Sequence, residues 1–452
     1  MADVARRLRG DFTLAVVQNV GTVALAVATS VLIARTLGPA GNGQYAIAVL
    51  LPSLLVVFTN LGVPSANAYF IASGRISLDL ALRVSLRLWL GLSIVGLVIA
   101  LAIVLGGASF FPGVSPTWLA LALVAFPAAL LGAFMVSLLH GLADFPRFYA
   151  GVLAGPAFTL IFVVVLVRLL PWGALGAILA FAAGQLAGAA VVLVLLRHHR
   201  DRKHQGGGKE PWRNYARLCL DFGWKSHVSN VLTYLNYRAD LFLVNFLMSP
   251  AAAGIYLVAV QIAERLWITA SSASEVILPR LARSYARDAR ETVLTPIVSR
   301  WVFSASLLGA AVLALLGHLL ILILFGEKFL AADIALLWLL PGVAVASLRK
   351  IAASDVAARG RPELNMVTAA VVVVVNIAGN LLFIPIYGIA GAAIASTVAN
   401  SLGAGLQVII YARQSGQPWW RMVVWEKSDW RLLRDLVPLA RGTGGNSPRG
   451  GK

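Results

Sequence analysis

The chain has 452 residues, of which 59% are hydrophobic and only 12% charged, with a net charge of +18. A soluble globular domain carries about 25% charged residues, so composition excludes one and points to a membrane protein. The single Cys219 excludes a disulfide framework within the chain, and the six His show no metal-ligand spacing.

About 20 apolar residues cross a hydrocarbon core as a helix. Twelve such stretches are predicted, near residues 12–33, 43–71, 84–107, 117–140, 147–170, 173–196, 219–247, 251–278, 301–325, 332–354, 364–386 and 388–411. The first follows Arg6, Arg7 and Arg9 and contains Ala24-Leu25-Ala26, which resembles a signal-peptide cleavage site. Gln18 and Asn19 within the run argue for a retained span instead. Arg35, at the far end of this span, is expected to snorkel to the interface. Between spans one and two stands Pro39-Ala40-Gly41-Asn42-Gly43-Gln44-Tyr45, which returns 211 positions later as Pro250-Ala251-Ala252-Ala253-Gly254-Ile255-Tyr256. Both read P-A-x-x-G-x-Y. Gly173 to Ala180 matches Gly388 to Ala395 at an offset of 215, as G-x-x-G-A-x-x-A, and Pro127 matches Pro341 at 214. Near-constant offsets imply one ancestral half used twice, which is the build of a secondary transporter. The expected architecture is all-α and polytopic, with twelve transmembrane helices in two pseudo-symmetric six-helix lobes. The lobes are expected at 1–196 and 215–411, joined by a charged, glycine-rich linker at 197–214. Six spans per half give both lobes the same orientation, related by an axis along the membrane normal.

The positive charge is topological. With the N-terminus placed in the cytoplasm, 31 of the 37 Lys and Arg fall in inner segments and 3 in outer loops. The positive-inside rule then sets both termini in the cytoplasm. Nucleic acid is not expected as a partner. Span seven is unusually polar: Ser226, Asn230, Thr233, Tyr237 and Asp240 share one helical face, and Lys225 and Arg238 lie in the same span. Span eight carries Gln261, Glu264, Arg265, Ser272 and Glu275. A charge at mid-bilayer costs at least ~2.5–3.5 kcal/mol unless it faces protein or water. Adjacent residues diverge on a helix, so Glu264–Arg265 is a poor pair. At ~1.5 Å per residue, Arg238 lies about 15 Å and Glu264 about 20 Å below the turn joining the two spans. The expected pair is therefore Arg238–Glu264, which leaves Arg265 for an anionic ligand. Asp240, Glu264 and Glu275 are the candidates for ion coupling or charge pairing. All four charges 238, 240, 264 and 265 neutralising one another within the hairpin is the plainer alternative. Asp355 with Arg349, Lys350, Arg359 and Arg361 reads as an inner-surface charge cluster.

The tail at 412–452 alternates Trp and basic residues from Trp419 to Arg431, which suits a helix in the headgroup zone; the Gly- and Arg-rich end beyond it is expected to be disordered. Gly206-Gly207-Gly208-Lys209 lacks the spacing and the hydroxyl of a phosphate-binding loop. No outer loop is long enough for a catalytic domain. An enzyme is not expected, nor a cofactor or a bound metal.

Ala34 to Tyr45, Asn236 to Asp240 with Pro250 to Tyr256, and Tyr387 to Ala395 resemble the signatures of prokaryotic polysaccharide exporters, in the multidrug/oligosaccharidyl-lipid/polysaccharide superfamily. The resemblance covers residues 12–411. It implies two six-helix lobes in a V around a cationic cavity, in the bacterial inner (cytoplasmic) membrane. It implies flipping of undecaprenyl-diphosphate-linked oligosaccharide from the inner to the outer leaflet by alternating access. Membrane lipids, a glycan polymerase and glycosyltransferases of the same pathway are the implied partners. Arg265, Arg238 and Lys225 then supply the basic path that a diphosphate needs across ~30 Å of hydrocarbon. The chain departs from the fourteen-span lipid II flippase branch in having twelve predicted spans. The competing reading is a cation-coupled drug antiporter of the same fold, worked by Asp240, Glu264 and Glu275.

Overall fold

The computed structural model describes residues 2–200, 212–274, 281, 294–426 and 429. The described residues form helices joined by short turns, with no strand among them. The first half comprises α1 (Ala2–Thr59), α2 (Val63–Ala72), α3 (Leu78–Gly106), α4 (Pro116–Ala122), α5 (Ala125–Gly141), α6 (Phe145–Val163) and α7 (Gly173–Arg200). The second comprises α8 (Trp212–Leu247), α9 (Pro250–Glu264), α10 (Trp267–Ser274), α11 (Leu294–Leu324), α12 (Ala332–Ala358), α13 (Pro362–Tyr387) and α14 (Ile389–Ser415).

These helices give twelve passes. Among the described residues, nine helices are long and apolar enough to span a membrane, and α9 with α10 makes a tenth, bent by 46°. Helix α1 counts twice. Its 58 residues would reach about 87 Å unbroken, nearly three hydrocarbon thicknesses. It breaks at Gly38, whose φ of 68° and ψ of −174° lie outside the helical region. Only glycine adopts such a backbone without strain, and Pro39 restarts the helix from there. Helix α8 is the twelfth; its polar face keeps it out of an apolar tally. Besides span eight, bent between α9 and α10, three predicted spans are irregular. Span two is interrupted at Asn60-Leu61-Gly62 before α2, with Leu61 and Gly62 both left-handed. Span four divides into α4 and α5, and span five ends in a π-turn at Val164–Leu169.

Caps set several boundaries. Ser249 Oγ accepts the Ala252 amide at 3.2 Å, with Pro250 opening α9. Asp144 accepts the Arg147 amide at 3.3 Å at the start of α6. Helices α5, α6 and α7 pack on one another, as do α11 to α14. Outward sides stay apolar and exposed, as at Leu105 (76%) and Leu315 (82%), which suits helices whose solvent is lipid.

The halves meet along two seams. At the end of the molecule that carries Gly38, α1 crosses α9, and the two P-A-x-x-G-x-Y copies rest on each other. A β-carbon on Gly43 would lie 1.7 Å from the Pro250 carbonyl oxygen, and one on Gly254 would lie 2.1 Å from that of Pro39. Asn42 donates to the Gly254 carbonyl at 2.9 Å. Gln44 donates to Gly113 and Asn245 to Pro112, at 3.0 and 3.3 Å, so the α3–α4 connection covers the crossing. The second seam joins α2 to α8, where Gly62 and Gly223 touch backbone to backbone and Tyr215 donates to Asn67 at 2.8 Å. At the opposite end, the segment after α14 lies against α11, α12 and α14. Arg300 is 1% exposed and holds Asp429 through Nε, at 2.6 Å, and Nη2, at 2.8 Å. Ser299 donates to Met422, and Trp425 to Ser304. Residues 427, 428 and 430–452, with the end expected to be disordered, lie outside the described residues. Where a headgroup-zone helix is expected over Trp419 to Arg431, the described part begins with a short turn, Trp419–Met422, packed on the protein. Trp419 and Trp420 point away from it, exposed, while Trp425 packs on Trp301.

Candidate functional site

A cavity of about 710 Å³ lies between the first pass of α1 and the helices α8, α9, α10 and α12. Helix α1 contributes Asn19, Val20, Thr22, Val23, Ala24 and Val27. The facing wall contributes Tyr237, Arg238, Glu264, Arg265, Trp267, Ile268, Ser271, Ser272 and Lys350. The break between α9 and α10 shapes this wall. Glu264 ends α9 and reaches back to α8, where its Oε1 takes Arg238 Nη1 at 3.2 Å. This is the pair expected from helix depth. Arg265 sits at the bend and is turned to the cavity. Among the described residues its side chain has no hydrogen bond or ion pair, and its Nε is buried without a partner.

Lys350 reaches the same wall from α12. Its Nζ donates to Ser271 Oγ at 2.5 Å and lies 5.7 Å from the Trp267 ring centroid. Trp267 in turn lies 4.6 Å from the Tyr237 ring. Three cations and one carboxylate therefore line the cavity, with all the charge on the second-half wall. Of the cluster expected around Asp355, Arg359 does pair with that carboxylate, which also accepts Thr295 Oγ1 at 2.6 Å, whereas Lys350, on another face of α12, lines this cavity. Tyr237, on the polar face expected of span seven, lines the site; Trp267 lines it too and was missed, its signal being a Trp at mid-span two residues after an Arg. Lys225 lies on α8, but its side chain is outside the described residues, as is all of Glu275. Arg35, expected at the interface, is exposed; its Nε donates to the Leu324 carbonyl at 2.7 Å and its Nη2 to that of Ile323, so it caps the end of α11.

Asp240 stands apart from the cations. It is 4% exposed, and its carboxylate accepts Tyr256 Oη at 2.7 Å, Ser396 Oγ at 3.2 Å and the Leu241 amide at 2.7 Å. All three donors are neutral. Around it run Asn376, which donates to Ser396 at 3.1 Å, and Asn380, which donates to Asn376. The amide oxygens of Asn236 and Asn380 are buried with no partner among the described residues. A cavity of about 30 Å³, room for one small ion or water, touches Asn236, Asp240 and Ser396. Tyr237, Glu264 and Trp267 line both cavities and connect them. Among the described residues no cluster of three or more His, Cys, Asp or Glu could hold a metal.

No curated protein matches the chain by sequence. Solved structures match by fold. A structure titled lipid II flippase MurJ, inward closed conformation, superposes with a TM-score of 0.73 at 13% identity, covering 96% of this chain and 94% of that one. A multidrug resistance MATE family transporter of the MOP superfamily, in its inward-facing conformation, gives 0.69 at 15% identity, with 87% and 94% covered. The outward-facing conformation of such a transporter gives 0.63 at 14%, with 88% and 93% covered. The fold is therefore that of these membrane transporters. The family described as polysaccharide biosynthesis protein matches residues 8–285. That stretch takes in both copies of the P-A-x-x-G-x-Y motif and all of α8 to α10, and by it the chain belongs to the polysaccharide biosynthesis protein family.

Proposed function

We propose that this protein flips a polyprenyl-diphosphate-linked oligosaccharide from the inner to the outer leaflet of the bacterial cytoplasmic membrane. The observation that carries this reading is Arg265, a guanidinium with no partner among the described residues, on a 710 Å³ cavity inside a membrane fold. Leaving such a charge unpaired there costs several kcal/mol, and an anion relieves that cost. A diphosphate supplies two charges and several acceptors, which matches Arg265 together with Lys350. Arg238, held by Glu264, is the third contact. Along the first pass of α1, Val17 (57%) and Val20 (63%) are exposed, so a lipid tail stays in the bilayer while its headgroup enters beside α1. The Gly38 end is the outer face in this reading, and both termini are cytoplasmic. The lobes are residues 1–196 and 215–411, joined by the linker at 197–214 and followed by the tail at 412–452. The glycan polymerase and glycosyltransferases of the pathway act on either side of this step.

Asp240 is the coupling group. One buried carboxylate, a hydroxyl and the Asn236 amide oxygen, which has no partner among the described residues, around a one-ion cavity suit a monovalent cation, sodium or a proton. That constellation also supports the second reading, a cation-coupled drug antiporter, as does the likeness to the multidrug transporters.

Removing the protein separates the two. Lipid-linked oligosaccharide should accumulate in the inner leaflet and surface glycan should disappear, with drug tolerance unchanged. Arg265→Ala should reproduce that loss while the protein remains inserted. Normal glycan with raised drug sensitivity would replace the first reading by the second.

A further inference from the structure

The cavity has two chemically different walls. All of its charge stands on α8, α9, α10 and α12, whereas α1 offers an amide, a hydroxyl and aliphatic groups. A diphosphate would fill only a small part of about 710 Å³, a volume in the range that encloses a whole drug-sized ligand. The remaining space is bounded by α1. There Asn19 is exposed on the cavity, and among the described residues its side-chain amide has no hydrogen-bond partner. Thr22, one turn on, accepts Gln18 Nε2 at 3.0 Å and keeps its own hydroxyl proton to donate. An amide presents both donors and an acceptor, which is what a sugar hydroxyl or acetamido group requires. It offers nothing to balance a carboxylate.

We propose that Asn19 is a specificity-determining residue, which reads the first sugar of the lipid-linked saccharide and selects an uncharged one. This rests on the headgroup reading above, since it takes the diphosphate to be held at Arg265 and Lys350. The sugar next to that diphosphate then spans from the cationic wall to α1. Substrates carrying a neutral N-acetylhexosamine gain a hydrogen bond at Asn19. Those carrying a hexuronic acid leave their carboxylate facing an amide and aliphatic groups, and the bare lipid leaves Asn19 unmet.

The test measures binding of three lipids to the purified full-length protein in nanodiscs: polyprenyl diphosphate alone, the same lipid with a neutral N-acetylhexosamine, and the same lipid with a hexuronic acid. The wild type should prefer the N-acetylhexosamine lipid over the bare one by about five- to tenfold, the worth of one good hydrogen bond. It should favour that lipid over the hexuronic acid lipid as well. In Asn19→Leu the preference ratio should fall to about one, and Asn19→Gln should restore part of it. Arg265→Ala should weaken all three lipids together and leave the ratio in place. A wild type without preference, or an Asn19→Leu variant that keeps it, overturns the assignment of Asn19. Loss of binding to all three lipids in Asn19→Leu also overturns it, because Asn19 would then support the site as a whole. If the wild type binds none of the lipids, or Arg265→Ala binds them all as well as the wild type, the headgroup reading falls first.

Discussion

Arg238 and Arg265 line the same cavity, yet among the described residues one is paired with a carboxylate and the other is not. The difference is a single carboxylate, Glu264, whose Oε1 lies 3.2 Å from Arg238. Arg238→Glu alone should place two carboxylates together, and Glu264→Arg alone should add a further cation. Either should impair export, whereas the double exchange should recover most of it, as measured by surface glycan in the complemented deletion strain. A double exchange no better than the singles would mean that position, and not pairing, matters. Asp240 has a separate signature. Asp240→Asn keeps the size and the contacts with Tyr256 and Ser396 but removes the charge. Transport in proteoliposomes should lose its dependence on an imposed sodium or proton gradient while headgroup binding persists. The Arg238–Glu264 pair was legible in the sequence, because both residues can be counted from one turn. Lys350 and Arg35 were not, since each meets its partners far along the chain: Ser271 for Lys350, Ile323 and Leu324 for Arg35.

At the scale of single elements, the sequence predicts helices well and their breaks poorly. The turn at Gly38-Pro39 is written in residue types that demand it. The bend between α9 and α10 is not, because Ala263-Glu264-Arg265-Leu266-Trp267 contains good helix formers. There the need to bring Glu264 to Arg238 and Arg265 to the cavity overrides local preference. The tail shows the same limit. Its Trp and Arg residues resemble an interfacial helix, and nothing local in them announces that Arg300, 129 residues before Asp429, holds the segment on α11. Breaking a buried ion pair by removing one partner costs about 3–5 kcal/mol. Asp429→Ala should therefore lower the thermal unfolding midpoint in detergent clearly, with the loss moderated by Glu426, 3.9 Å from Arg300. An unchanged midpoint would show that the docked tail contributes nothing to stability.

The whole molecule alternates, in this reading, by separating its halves at the Gly38 end. That end is closed by backbone on backbone, with no room for a methyl group at Gly43 or Gly254. Gly254→Ala should hold the seam apart. Spin labels at Thr117 and Lys328, one on each half, should show a longer-distance population than the wild type, and export should fall. Identical distance distributions would show that the crossing is not a gate. Twelve passes in two halves could be counted from apolar runs and repeat offsets alone. Which surfaces meet could not, because duplication fixes the likeness of the halves and says nothing of their docking.

The crossing of the two motifs has one more consequence. Each glycine receives the proline carbonyl of the other, so the patch is complementary to itself, as surfaces related by a two-fold axis must be. A six-helix precursor carrying one such motif would present a self-complementary patch on which two copies could meet. Fusing two copies end to end would preserve that dimer interface and release each copy from having to match the other. The guanidinium-rich wall then needed to arise in only one of them.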